Sequence, residues 1–171
     1  MNRRYFIKSG VTLAGAVVLL RAPFAEALAQ RSAGARAGAA PLKKVVRTEA
    51  EWRRMLTAEQ YHVMREKGTE APGSSPLLKH YAKGTYVCAG CALPLFSSRA
   101  KYDSHTGWPS FWTPIARRNV RERQDTDGGM TRIEVVCNRC DAHLGHVFDD
   151  GPDPTGLRYC MNGVALKFIA A

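Results

Sequence analysis

The chain lacks any apolar run of the ~20 residues that a bilayer-spanning helix needs. The stretch Val11 to Leu20 falls short of that length, so no stable membrane span is expected after processing. A block of lysine and arginine is missing as well, and with it the footprint of a nucleic-acid partner. The net charge of +10 is dispersed. Residues 1–29 hold Arg3, Arg4, Lys8 and Arg21 against Glu26, and +10 less this +3 leaves +7 for the remainder, a solvated basic surface. No repeat occurs beyond two Cys-x-x-Cys units, so the remainder has the size of one ordinary domain. Cysteine itself is scarce. Of five, Cys88/Cys91 and Cys137/Cys140 form the pairs and Cys160 is left over.

The N-terminus reads as an export signal. Asn2-Arg3-Arg4-Tyr5-Phe6-Ile7-Lys8 is a twin-arginine pattern, with Asn2 where Ser or Thr is commoner. The apolar segment follows, and Ala27-Leu28-Ala29 is a small-x-small cleavage site. A signal over residues 1–29 and a periplasmic mature chain from Gln30 are expected. A linker is placed at 30–45, because Gln30 to Pro41 is rich in Ala, Gly and Arg and has almost no large apolar residue. The folded domain is placed at 46–171.

Two helices open that domain. Thr48-Glu49-Ala50-Glu51 is a capping box, followed by the apolar stripe Trp52, Met55, Leu56. Thr57-Ala58-Glu59-Gln60 repeats the signal ahead of Tyr61, Val63 and Met64. Helices over 49–56 and 58–66 follow, with Gly68 as the stop. From Gly84 the period becomes two. Strands are expected at 86–88, 93–96, 120–123, 131–137, 146–148 and 164–169, with Asp127-Gly128-Gly129 turning a hairpin. Many short antiparallel strands predict a mainly β fold, two sheets as a small sandwich or open barrel, with the helices at its outside or end.

The pairs Cys88/Cys91 and Cys137/Cys140 each follow an apolar strand end. Two intervening residues let a tight turn aim both sulfurs at one ion, and four thiolates suit one structural zinc per chain. Disulfides are the alternative in an exported protein. Cys160 is either a buried structural cysteine or a nucleophile whose thiolate is favoured by the charge on Arg158. Two further stretches are dense in capable side chains. Gly107 to Trp112 is aromatic around a proline, which a core turn would also explain. His143 to Pro152 carries two imidazoles and two carboxylates suited to acid–base or hydrogen-bonding work.

With both Cys-x-x-Cys pairs in order, G-W-P-S-F at 107–111, H-L-G-H-V-F at 143–148, D-D-G-P at 149–152 and R-Y-C-M-N at 158–162 make the chain similar to the B-type peptide-methionine sulfoxide reductases over about residues 47–169. The resemblance implies two antiparallel sheets, a structural zinc opposite the active site, and reduction of the R epimer of methionine sulfoxide in peptides and proteins. It places the nucleophile at Cys160, the aromatic wall at Trp108 with Phe148 completing the apolar side, and polar roles at His143, His146, Asp150, Arg158 and Asn162. Cys160 would become a sulfenic acid. Many members of the family carry a resolving cysteine just before G-W-P-S-F. Here that position is Thr106, so an external, thioredoxin-like thiol is expected to restore the enzyme. A monomer is expected. Two rivals stand beside this reading. A zinc-stabilised binding module would make Cys160 dispensable, and a thiol–disulfide oxidoreductase would use one Cys-x-x-Cys pair as its redox couple.

Overall fold

The computed structural model describes residues 42–171. The export signal at 1–29 and residues 30–41 of the expected linker lie outside the described residues. Residues 42–45, also placed in that linker, are docked instead. Leu42 and Val45 pack against the core, and the Val45 amide donates to the Arg139 carbonyl at 2.8 Å.

Both capping boxes form. The Thr48 hydroxyl accepts from the Glu51 amide at 3.3 Å, and the Glu51 carboxylate accepts from the Thr48 amide at 2.7 Å. Helix α1 (Glu49–Met55) follows and buries Trp52. Thr57 and Gln60 repeat the arrangement ahead of α2 (Ala58–Glu66), which buries Tyr61, Val63 and Met64. The left-handed residue that ends α2 is Lys67, at φ 57°, not Gly68. At Gly68 a Cβ would meet only the ring of His62, an exposed side chain free to turn aside, so nothing there requires glycine.

The strands are β1 (Gly84–Cys88), β2 (Pro94–Ser97), β3 (Lys101–Tyr102), β4 (Ser110–Phe111), β5 (Val120–Asp125), β6 (Arg132–Cys137), β7 (His143–Phe148), β8 (Arg158–Met161) and β9 (Leu166–Ala170). They form two antiparallel sheets, ordered β2-β1-β9 and β3-β4-β8-β7-β6-β5. The mainly β expectation holds, as does the β5–β6 hairpin, in register from Val120↔Cys137 to Asp125↔Arg132. Three strands differ from the sequence reading. β3 and β4 are two residues long, too short to show a period. β8 alternates inward Tyr159 and Met161 with half-buried Arg158 and Cys160, so its outer face reads as chemistry and not as strand.

Both sheets pack around one core. Phe96 stacks on Phe111 with centroids 4.5 Å apart, and Tyr86 meets Phe111 edge-on at 5.0 Å. Phe111, from the G-W-P-S-F stretch, is therefore core, whereas Trp108 is not. Among the described residues no helix is long and apolar enough to cross a membrane.

Candidate active site

Cys160 sits mid-sheet on β8, opposite Ser110 of β4 on one side and His146 of β7 on the other. It opens into a pocket of about 120 Å³ lined by Trp108, His146, Phe148, Asn162, Thr69 and Arg132. The strands come this close because of Gly145. Its φ is +150°, and a Cβ there would strike the Cys160 carbonyl oxygen. A register irregularity in the β6–β7 pairing brings His143 and His146 together, three residues apart, with ring centroids 5.4 Å apart.

The two histidines are held by different carboxylates. The His146 Nε2 hydrogen-bonds to Asp125 at 2.7 Å, and that bond holds the Asp125 carboxyl down at about 2. His143 is buried, with Nδ1 2.8 Å from Glu134. Burial pushes the His143 imidazole down, against the pull of Glu134. Burial alone would raise the Glu134 carboxyl, but Arg123 and His143 outweigh it and hold it low. Of the two, His146 lines the pocket and His143 lies behind it.

Arg158 and Asp150 form a two-pronged ion pair, both contacts 2.8 Å, with the guanidinium 4.2 Å from the Phe148 ring centroid. Much of the charge expected to favour the Cys160 thiolate is thus engaged elsewhere. Burial pushes the Cys160 thiol up, and Thr106, Arg158 and Ser110 pull it down without overcoming burial.

Trp108 and Asn162 share an anchor that the sequence did not reveal. The Trp108 Nε1 donates to the Glu70 carbonyl at 3.2 Å, and the Asn162 side-chain oxygen accepts from the Glu70 amide at 3.1 Å. The buried Glu70 carboxylate accepts from the Gly163 and Val164 amides at 2.6 and 2.8 Å. Glu70 thus ties Trp108 to the turn that follows β8, the strand of Cys160. Glu70→Gln turns one accepting oxygen into an amide that faces a backbone donor. Its unfolding midpoint in urea is expected to fall, at a cost of about 1–3 kcal/mol for a buried unsatisfied group. An unchanged midpoint at unchanged slope would refute this role.

The four remaining cysteines converge. The Cys88 and Cys140 sulfurs are 3.6 Å apart, Cys91 and Cys137 3.5 Å, and all four lie within 4.8 Å of one another. Disulfide sulfurs would sit ~2.05 Å apart, whereas thiolates ~2.3 Å from a tetrahedral ion stand about 3.8 Å from each other. The spacing fits a metal and not disulfides. The two knuckles are built alike. Each first cysteine's amide is tied to a carbonyl five residues on, Leu93 or Ala142, and a left-handed residue, Ala92 or Asp141, follows the second cysteine. Cys137 ends β6, and Arg132, at the other end of that strand, lines the pocket.

The SelR domain model matches residues 56–170. The chain belongs to the SelR family. Among curated members, the peptide methionine sulfoxide reductase MsrB of Methanosarcina barkeri is 56% identical over 126 residues, covering 74% of this chain and 89% of the relative. The MsrB of Thiobacillus denitrificans is 55% identical over 122 residues, 71% of this chain and 92% of the relative. The pocket unites Cys160, Trp108, His146, Phe148 and Asn162, while Asp150 and Arg158 line a separate pocket with Thr106. Asp125, Glu134, Arg132, Thr69 and Glu70 join the site unannounced by the motifs. One signal existed for two of them: Arg132 and Glu134 are the polar positions of an alternating strand and so share a face.

Proposed function

We propose that this SelR-family chain is an oxidoreductase, a thiol-dependent peptide methionine sulfoxide reductase selective for the R epimer. It works as a monomer on methionine sulfoxide in exported proteins, which it repairs. The observation that carries the reading is Cys160 at the floor of a pocket walled by Trp108 and Phe148, with His146 beside it. The pocket is of the size of a small apolar group, which suits the substrate methyl against an indole face. His146 is positioned by Asp125 to hold or give a proton at the sulfoxide oxygen. The buried His143–Glu134 pair fixes the ring behind it.

In the reaction, the Cys160 sulfur forms a bond to oxygen as the substrate S–O bond breaks. Cys160 loses two electrons and the substrate sulfur gains them. The thiol proton ends on the transferred oxygen, giving a Cys160 sulfenic acid and methionine. A dithiol of thioredoxin type then becomes a disulfide, water leaves, and the Cys160 thiol returns. The knuckle cysteines are assigned to one structural zinc, which in a four-thiolate site has no open position for chemistry. Export by a twin-arginine signal over residues 1–29 is part of this proposal and rests on Arg3-Arg4 and Ala27-Leu28-Ala29. Supplying each sulfoxide epimer of a blocked methionine with dithiothreitol tests the activity. Methionine is expected from the R epimer, and turnover of neither epimer would overturn the proposal.

Recycling makes a second test. The Thr106 hydroxyl lies 3.8 Å from the Cys160 sulfur, so a sulfur at position 106 needs only a small closure to reach the ~2.05 Å of a disulfide. After one turnover without reductant, the wild type should be trapped as sulfenic acid by dimedone. Thr106→Cys should instead show an intramolecular disulfide by mass spectrometry. A wild-type disulfide between Cys160 and a knuckle cysteine would refute this account.

A further inference from the structure

Three hydroxyls are linked in sequence to the Cys160 sulfur. Ser110 Oγ is 2.7 Å from Ser104 Oγ, Ser104 Oγ is 2.8 Å from Thr106 Oγ1, and Thr106 Oγ1 is 3.8 Å from Cys160 Sγ. Ser110 Oγ also donates to the Trp108 carbonyl at 3.1 Å, and Ser110 itself stands opposite Cys160 across β4 and β8, so the hydroxyls curl back beside the sulfur. The segment is shaped for this. His105 has φ 56° and Gly107 has φ 95°, and between them the chain turns Thr106 toward β8. Ser110 is fully buried and Ser104 and Thr106 half-buried.

We propose that Ser110, Ser104 and Thr106 form a reversible hydroxyl chain that stabilises the Cys160 thiolate, with Ser104 a positioning residue that acts through Thr106. The proposal rests on the reductase reading of Cys160 and deepens it. Each hydroxyl has one proton to give, so the chain has two self-consistent directions. With the thiol protonated, Cys160 donates to Thr106, Thr106 to Ser104, Ser104 to Ser110, and Ser110 to the Trp108 carbonyl. With the thiolate, every donor reverses. Thr106 donates to sulfur, Ser104 to Thr106, and Ser110 to Ser104, and the Trp108 carbonyl is released. The exchange gives up two neutral hydrogen bonds, from the thiol to Thr106 and from Ser110 to the Trp108 carbonyl, for one charge-assisted bond to sulfur, which is the stronger kind. It needs only hydroxyl rotations, so no side chain has to move as Cys160 changes charge.

The charged and titratable groups around Cys160 leave this role open. Arg158, on the same strand, is tied to Asp150, and His146 of β7 is tied to Asp125. Tyr102 of β3 would oppose a Cys160 charge if it ionised, and Arg132 of β6 is engaged by Asp125. Burial holds the thiol up, and among the opposing influences the Thr106 hydroxyl comes first.

The test is the pH dependence of Cys160 alkylation by iodoacetamide in the intact metal-loaded chain, read by mass on the Cys160 peptide without substrate. Alkylation follows the thiolate, so its rate climbs with pH through the Cys160 midpoint. Thr106→Val should move that midpoint up by about one pH unit and Ser104→Ala by about half a unit. Thr106→Ser should restore the wild-type profile. A wild-type midpoint in Ser104→Ala, or a Thr106→Ser midpoint as high as that of Thr106→Val, would overturn the chain. If Thr106→Val fails to fold, Ser104→Ala decides alone. Because no sulfoxide is present, failure here is distinct from failure of the epimer assay.

Discussion

Cys160→Ser should lower sulfoxide reduction at least ~10³-fold, to the background of the assay, since only a thiolate or thiol can serve as this nucleophile. A serine hydroxyl is a poor nucleophile and could take up the oxygen only as a weak O–O peroxide, so no sulfenic-acid equivalent forms. Stability should barely change. Cys160 is half-buried on the outer face of β8, while its neighbours Tyr159 and Met161 fill the core. The exchange of sulfur for oxygen opens no large cavity, and a shift within about 1 kcal/mol is expected. Metal content should also be unchanged, because Cys160 stands outside the four-sulfur cluster. The epimer assay, a metal count and urea unfolding on the same preparation check all three. Turnover near the wild-type rate would remove Cys160 from the mechanism and revive the reading of the chain as a binding module.

What the sequence showed and what it hid divide along sequence separation. The capping boxes, the knuckles and the β5–β6 turn are each written within a few residues, and all appear where they were expected. The carboxylates that hold the site are not. Asp125 reaches His146 across 21 positions and the Glu70 amide reaches Asn162 across 92. Those meetings depend on sheet order and register, which a one-dimensional pattern does not carry. The Thr69–Ser75 loop shows only turn composition, and nothing local marks Glu70 as a buried clamp. The same limit applies to Arg158. Its position next to Cys160 promised a free positive charge, but the fold delivers Asp150 to it, eight residues earlier on the far side of a loop. His143 and His146 look equivalent in the motif. The register irregularity in the β6–β7 pairing gives one the pocket and the other the interior.

Removing the metal should cost more than any single side chain. Cys88 ends β1 of the three-stranded sheet, and Cys137 ends β6 of the six-stranded one. One ion held across these knuckles would therefore fasten the two sheets to each other. Binding to four cysteines is worth ~10–16 kcal/mol of apparent free energy where it drives folding, against a total stability of about 5–15 kcal/mol for a typical domain. Without the ion, four sulfurs within 4.8 Å of one another, three of them buried, cannot all carry charge. Shared protons, first with Cys137, and burial then hold Cys88 protonated. The purified protein should carry about one zinc, four thiolates making one tetrahedral site. A strong chelator with a reducing thiol should then abolish cooperative unfolding and, with it, activity, although Cys160 is untouched. Cys137→Ser should behave like the stripped protein. Parallel urea titrations of loaded and stripped chain decide the matter: a metal-free protein that unfolds at the same midpoint would show that the cluster is not what joins the sheets.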